Sequence, residues 1–182
     1  MPVQPGVLNY QQSPLYDTYE LAASADTPTK IVFFETPTGA SKGKEKTNLT
    51  RPFELTAPEN FKVAAMRFVP IGMDVTDVVS LMKNYAASLI VSGKTLLEAP
   101  IEFFAGGAGA VVEYDSGSAG TGNSVSNGIA DPRACAFISA PDQILIGSGE
   151  TFSVELNGTS FNTTAAVFLR CYLDGRYGRA VG

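Results

Sequence analysis

Short segments that alternate between apolar and polar residues recur along most of the chain, and stretches rich in Gly, Pro, Asn and Ser separate them. The clearest segment covers residues 152–156, whose alternation is typical of a half-buried strand. We count about eight to ten such segments against one helical pattern. That ratio predicts an all-β fold, built as an antiparallel sandwich or barrel.

The strand predicted at residues 61–69 carries a signal for a bulge. Its polar residues Lys62 and Arg67 lie an odd number of positions apart, so a regular strand would place them on opposite faces. An extra residue near positions 64–65 would return both side chains to one face. A bulged strand bends, which suits a curved sandwich.

Other segments give turn and edge signals. Residues 93–94 are predicted to form the tip of a hairpin between two strands in 88–101. Residues 49–55 alternate imperfectly around a proline, which is typical of an edge strand. The Gly/Ser-rich stretch 115–132 has no strand or helix pattern, so we expect a long exposed loop there.

The helical pattern begins after Asp74, which is placed to cap a helix with Asp77 three residues further on. Apolar residues then recur at intervals of three and four and form a single stripe. This set is Val75, Val78, Val79, Met82 and Ala86. One stripe predicts one packing face, so we expect a short helix that covers an open end of the sheet.

Residues 1–28 carry four prolines with tyrosines between them, which indicates an extended arm preceding a sandwich domain at 29–182. Such an arm either wraps its own domain or docks onto another subunit, and the sequence leaves both open. The candidate anchors in this arm are Tyr10, Leu15, Tyr16 and Tyr19.

Charge and hydropathy argue against two classes of partner. The net charge is −5, and the one basic run, at 42–46, is interrupted by a glutamate, so we expect no nucleic acid and a solvated lysine face. The amino terminus lacks the features of a signal peptide and no apolar run approaches a membrane span. We therefore expect a soluble protein made in a cytoplasm.

The chain is not predicted to be an enzyme. It contains no histidine, the commonest general base and metal ligand, and no tryptophan to stack on a sugar. Carboxylates at Glu98, Glu102, Glu113 and Asp115 allow a small hydrolase as an alternative, but solvent-facing strand positions normally supply such residues. No ligand pattern for a metal or a cofactor is present, so none is expected.

Two cysteines, Cys135 and Cys171, fall in predicted strands. Buried free thiols are the expected state in a reducing compartment. A disulfide between them stays open as an alternative if their strands are neighbours.

Several short segments, taken in order, resemble single jelly-roll virion proteins of bacteriophages. The resemblance covers about residues 29–179 and includes the helix and the hairpin at Ser92-Gly93-Lys94. The other matching segments are Thr47-Asn48-Leu49, Asn60-Phe61-Lys62-Val63, Gly149-Glu150-Thr151-Phe152-Ser153-Val154 and Leu173-Asp174-Gly175-Arg176-Tyr177.

This resemblance implies a jelly-roll sandwich located in the virion, as a capsid decoration (cement) protein or a coat-type protein. Relatives of this kind assemble as trimers or other symmetric homo-oligomers and contact the major capsid protein. We expect the arm anchors to serve such contacts, together with a carboxy-terminal set of Arg176, Tyr177 and Arg179. The alternatives are a receptor- or carbohydrate-binding module that uses the 115–132 loop with the Glu113 to Asp115 edge, and a major jelly-roll coat protein.

Overall fold

The computed structural model describes residues 8–104, 110–111, 126–127 and 143–180. These residues contain eleven β-strands, one α-helix and one 3₁₀ turn at Ile101–Phe104. The helix α1 covers Val75–Asn84. The strands are β1 Leu8–Gln12, β2 Leu15–Leu21, β3 Lys30–Phe33, β4 Asn60–Ile71, β5 Tyr85–Val91, β6 Lys94–Pro100, β7 Ala110–Val111, β8 Ser126–Asn127, β9 Ile144–Ile146, β10 Phe152–Gly158 and β11 Val167–Ala180.

The strands form two antiparallel sheets that face each other. Sheet 1 has the order β2–β11–β4–β9, with β1 also paired to β11, and sheet 2 has the order β3–β10–β5–β6. The short strands β7 and β8 pair only with each other among the described residues. From β2 onward, the strands of the two sheets alternate between them, except that β5 and β6 form a hairpin within sheet 2, and this is the double Greek-key order of a jelly roll. The predicted all-β antiparallel sandwich with one short helix is confirmed.

The core lies between the two sheets because every second residue of each strand points inward. In β10, Phe152, Val154 and Leu156 are buried while the residues between them are half-buried. Aromatic rings from both sheets meet in this core: Phe33 of β3 lies 5.8 Å from Phe68 of β4, measured between ring centroids. Such contacts join the sheets into one packed unit.

The bulge and the hairpin expected from the sequence are both present. Opposite the β11 pair Asp174 and Gly175, the register of β4 jumps from Ala65 to Val63, so Ala64 is the extra residue. A two-residue turn with φ of 50° at Ser92 and 75° at Gly93 joins β5 to β6, one residue earlier than the predicted tip at 93–94. Both φ angles are positive, as the twist of a tight hairpin requires.

The helix begins where predicted, because the Asp77 N–H donates to the Asp74 carboxylate at 2.8 Å. Its packing face is narrower than expected: Val78 and Leu81 are buried, but Val79 is 40% exposed. Ala86 does not extend the stripe, because the helix ends at Asn84 and β5 begins immediately. No helix in the described part of the chain has the length and apolar character needed to cross a bilayer.

The prediction of an edge strand at 49–55 is wrong. Residues 49–55 form a connection in which Phe53 has a φ of 59°, a left-handed conformation that a strand residue does not adopt. The Phe53 N–H donates to the Phe34 carbonyl at 2.8 Å, and its own carbonyl accepts from Phe152 N–H at 2.7 Å. The imperfect alternation therefore reflects a loop whose backbone bonds go to β10 and to the residue after β3.

The segment assigned to an arm is described from Leu8 onward, where it forms β1 and β2. Both strands pair with the long strand β11, β2 along its first half and β1 along its second. The last strand consequently continues to Ala180 and includes the predicted carboxy-terminal contact set, because β1 and β4 both pair with its second half. Whether the segment also reaches another subunit stays a prediction.

Candidate interaction face

The outer side of sheet 1 is dominated by the central strand β11. Its inward residues Leu169, Cys171 and Leu173 are fully buried. The residues that alternate with them point to the opposite side and are half-buried. These are Phe168, Arg170, Tyr172 and Asp174. Large aromatic and guanidinium groups therefore stand on the middle of the outer surface, where short polar residues usually suffice.

Tyr172 occupies the centre of a row that crosses three strands. It is in register with Tyr16 of β2 on one side and with Arg67 of β4 on the other. The Tyr16 and Tyr172 ring centroids lie 6.1 Å apart, and the Arg67 guanidinium carbon lies 4.2 Å from the Tyr172 ring centroid. This geometry combines an aromatic pair with a cation–π contact.

Arg67 is held from the side by Asp174. Its Nε donates to one carboxylate oxygen at 2.5 Å and an Nη donates to the other at 3.2 Å. Two parallel hydrogen bonds fix the plane of the guanidinium over the tyrosine ring. The side chain is consequently ordered in the isolated chain, so binding a partner would order little more of it.

A loop covers the β2 side of this surface with three successive backbone carbonyls. The Tyr16 hydroxyl donates to the Lys44 carbonyl at 2.5 Å, and the Thr18 hydroxyl donates to the Lys46 carbonyl at 2.8 Å. Between them, Arg170 Nη2 donates to the Glu45 carbonyl at 2.7 Å. The loop thus shields the free edge of β2, and sheet 1 is protected there against uncontrolled strand pairing.

We name the set Tyr16, Arg67, Phe168, Arg170 and Tyr172 the aromatic–arginine face. Lys46 lies above it, with Nζ 5.3 Å from the Phe168 ring centroid and 3.6 Å from the Glu20 carboxylate. Arg170 also donates Nε to the Thr18 hydroxyl at 2.9 Å. Among the described residues, no carboxylate lies within ion-pair distance of Arg170.

The loop that covers this face is anchored by a buried ion pair. Lys42 Nζ lies 2.7 Å from Asp17 Oδ1, and the Asp17 side chain is 0% exposed. The second carboxylate oxygen accepts the Phe34 N–H at 2.7 Å. The expectation that the lysine run is solvated is therefore wrong for Lys42, whose side chain is only 17% exposed.

The burial of Asp17 has a signal in the sequence that the strand and charge predictions missed. Residues 15–21 alternate, and their burial pattern places Leu15, Asp17 and Leu21 on the inner face of β2. An acidic residue at an inward strand position must find a cation or several donors, because an unpaired buried charge is costly. The three lysines of the loop after β3 could supply the cation that Asp17 needs.

The four predicted arm anchors have different surroundings. Leu15 is 2% exposed and lies in the chain's own core, whereas Tyr16 belongs to the aromatic–arginine face. Tyr19 packs against the core with its ring 6.4 Å from that of Phe33. Tyr10 pairs through its backbone with Gly178, and its side chain lies outside the described part. Their roles as contacts to another subunit stay predictions.

The predicted carboxy-terminal contact residues Arg176, Tyr177 and Arg179 all lie on the second half of β11. Arg176 is exposed. Tyr177 packs its ring 6.0 Å from the Phe61 ring and donates its hydroxyl to the Glu59 carboxylate. The side chain of Arg179 lies outside the described part. Tyr177 is thus used inside the chain, and a contact by this set stays a prediction.

The residues weighed for catalysis or sugar binding are only partly described. Glu98 and Glu102 are exposed, while Glu113, Asp115 and almost all of the 115–132 loop lie outside the described residues. In the described part of the chain, no three potential ligand side chains come together as a metal-binding group.

Cys171 is a free thiol with 0% exposure, which confirms the expectation for this cysteine. Burial raises the pKa of the Cys171 thiol well above 9.0, and the charges of Asp17 and Asp174 act in the same direction while Arg67 opposes them. A neutral, enclosed thiol is unreactive. Cys135 lies outside the described residues.

No protein-family model, curated protein or solved structure matches this chain. The interpretation of the face therefore depends on its own composition. Tyrosine and arginine are the residue types most enriched at the energetic centres of protein interfaces. A surface built from both, already ordered by internal hydrogen bonds, is suited to binding another protein.

Proposed function

We propose that this chain is a non-enzymatic structural subunit of a bacteriophage virion. It stabilises or decorates a capsid through contacts with copies of itself and with other virion proteins, among them the major capsid protein. The bacteriophage assignment depends on the resemblance described from the sequence. A jelly roll hosts many functions, so the fold adds compatibility rather than identity.

The observation that carries the proposal is the aromatic–arginine face. Within one chain these tyrosine and arginine side chains hold the covering loop and one another, but on the outside of the sheet they stay only half-buried. A subunit gains affinity from them, because burying their apolar area is worth about 25 cal/mol per Å². Symmetry then repeats the same contact at every position of a shell.

The proposal is tested by sedimentation velocity on the purified chain over a wide range of concentrations. It predicts an oligomer whose population rises with concentration, and the presence of the chain in purified particles. Closed shells would indicate a coat protein, whereas a small oligomer that binds preformed particles would indicate decoration. A chain that is monomeric at all concentrations and missing from particles would overturn the proposal.

A further inference from the structure

A second surface of the same molecule combines exposed apolar side chains with negative instead of positive charge. Strand β6 is the last strand of sheet 2, and the 3₁₀ turn follows it directly. Leu96 is 47% exposed and Phe103 is 56% exposed, and both are large apolar side chains. Glu98 and Glu102 are also exposed. We name the set Leu96, Glu98, Glu102 and Phe103 the β6 rim.

The anchors of the β6 rim are held in place. The ring of Phe103 packs edge-on against that of Phe104, with centroids 5.2 Å apart. Phe104 is itself buried and contacts Phe68 in the core at 6.3 Å. An exposed phenylalanine fixed in this way presents apolar area at a small cost in conformational entropy.

The charges of the two surfaces complement each other. Among the described residues, neither Glu98 nor Glu102 lies within ion-pair distance of a lysine or arginine. Arg170 on the aromatic–arginine face lacks a carboxylate in the same part of the chain. Its guanidinium has five N–H donors, and those to the Thr18 hydroxyl, the Glu45 carbonyl and, at 3.5 Å, the Tyr172 hydroxyl leave two available.

We propose that the β6 rim of one copy docks onto the aromatic–arginine face of the next copy of this chain. This inference rests on the proposed function and names the surfaces through which the subunits associate. Glu98 and Glu102 supply the carboxylates that Arg170 lacks. Leu96 and Phe103 cover the Tyr172 and Phe168 rings.

Pairing of two aromatic–arginine faces is less favourable, because each face carries two arginines and its five residues include no carboxylate. Beside the face, Asp174 is engaged by Arg67, Glu20 lies 3.6 Å from Lys46, and the exposed Glu45 side chain belongs to the covering loop. A face-to-face dimer would therefore set arginines against arginines, which is costly. The contact is consequently heterologous, and copies joined head to tail close into a ring or extend as an array rather than stop at a two-fold dimer.

The test is charge reversal on each surface, followed by both reversals in one chain. Arg170→Glu and the double variant Glu98→Lys/Glu102→Lys are each expected to raise the dissociation constant of the oligomer about thirtyfold or more. The triple variant carries an acidic face and a basic rim, so it is expected to recover most of the lost affinity. Sedimentation equilibrium measures all three against the unchanged chain.

Matched controls separate the effect of losing the contact from the effect of a changed net charge on association. Lys83→Glu changes the net charge as Arg170→Glu does, and Asp26→Lys reverses an exposed carboxylate in the connection between β2 and β3, away from the rim. Both are expected to leave association unchanged. Because Arg170 also binds the covering loop, Phe103→Ala serves as a second variant that removes an exposed ring without touching that loop, and it should weaken association as well.

The outcomes distinguish this inference from the proposed function. If the unchanged chain neither associates nor joins particles, the proposed function fails. If it associates but the triple variant stays as weak as the single-surface variants, or Phe103→Ala associates normally, the head-to-tail contact is overturned while the proposed function stands. Recovery in the triple variant supports both surfaces as partners.

Discussion

The two sheets have the same inner side and very different outer sides. Both turn about every second residue inward, with interruptions such as the bulge in β4, and fill the core with large apolar residues. On the outside, sheet 1 carries the aromatic–arginine face, whereas the centre of sheet 2 carries Ala86, Ser88 and Ser153 with Ile90 as its one large apolar side chain. The fold needs only the inward half of each strand, so the outward half is free to differ, and one sheet uses it for large side chains.

The strand register shows which side chains lie around the small residues on the outer side of sheet 2. Ser88 lies directly between Glu98 and Glu155 on the neighbouring strands. Glu155 in turn forms an ion pair with Lys30 at 2.8 Å. Short residues there leave no ring or guanidinium for a partner to enclose, so we assign association to sheet 1 and only the rim of sheet 2.

The largest effect is expected where the loop over the aromatic–arginine face is anchored. Asp17→Ala leaves Lys42 without its partner and the Phe34 N–H without its acceptor, so the free energy of unfolding should fall by about 3–5 kcal/mol. Denaturant unfolding measures it. The control is Glu20→Ala on the same strand, whose 56% exposed carboxylate should change stability by less than about 1 kcal/mol. Equal effects would contradict the anchoring role.

The next largest effect is a loss of association affinity, and it is expected at the centre of the outer side of sheet 1 but not at the centre of sheet 2. Tyr172→Ala removes the central ring of sheet 1 and should weaken association by about 2 kcal/mol, as expected for an interface hot spot. Ser153→Ala on sheet 2 should leave association unchanged. Sedimentation equilibrium of the two variants checks this, and a stronger effect from Ser153→Ala would reverse the assignment of the faces.

A smaller effect is expected at the end where the sheets are joined by α1. The Asp74 carboxylate caps the helix and also accepts the Thr164 hydroxyl, at 2.6 Å, from the loop before β11. Asp74→Ala should therefore lower the free energy of unfolding by about 1 kcal/mol. Thr164→Val, which keeps the cap, should cost less. The assignment fails if Asp74→Ala is as stable as the unchanged chain.

The same carboxyl gives a small pH dependence. Burial raises the pKa of Asp74, but hydrogen bonds from Thr164, Asp77 and Thr76 outweigh it and leave the pKa below its ordinary value of 3.8. A lowered pKa stabilises the fold above pH 3.8, and this contribution disappears as the pH falls through the folded-state value. Below about pH 4, the free energy of unfolding should fall less steeply with decreasing pH for Asp74→Asn than for the unchanged chain, as denaturant unfolding at several pH values measures. Identical slopes would refute the contribution.

Local signals in the sequence predicted more of the fold than of the face. The bulge at Ala64 follows from the spacing of two polar residues, and the helix cap follows from Asp74. The connection through Phe53 was misread, because alternation alone does not reveal a positive φ. The row formed by Tyr16, Tyr172 and Arg67 depends on which strands are neighbours, and no single strand contains that information.

The central claim, that the outer side of sheet 1 is the surface buried on association, is tested most directly by hydroxyl-radical footprinting of the dissociated and assembled chain. The account predicts that Tyr16, Phe168 and Tyr172 lose reactivity on assembly while Phe161, in the loop before β11, keeps it. Protection of Phe161 with unchanged reactivity at Tyr172 would contradict the claim.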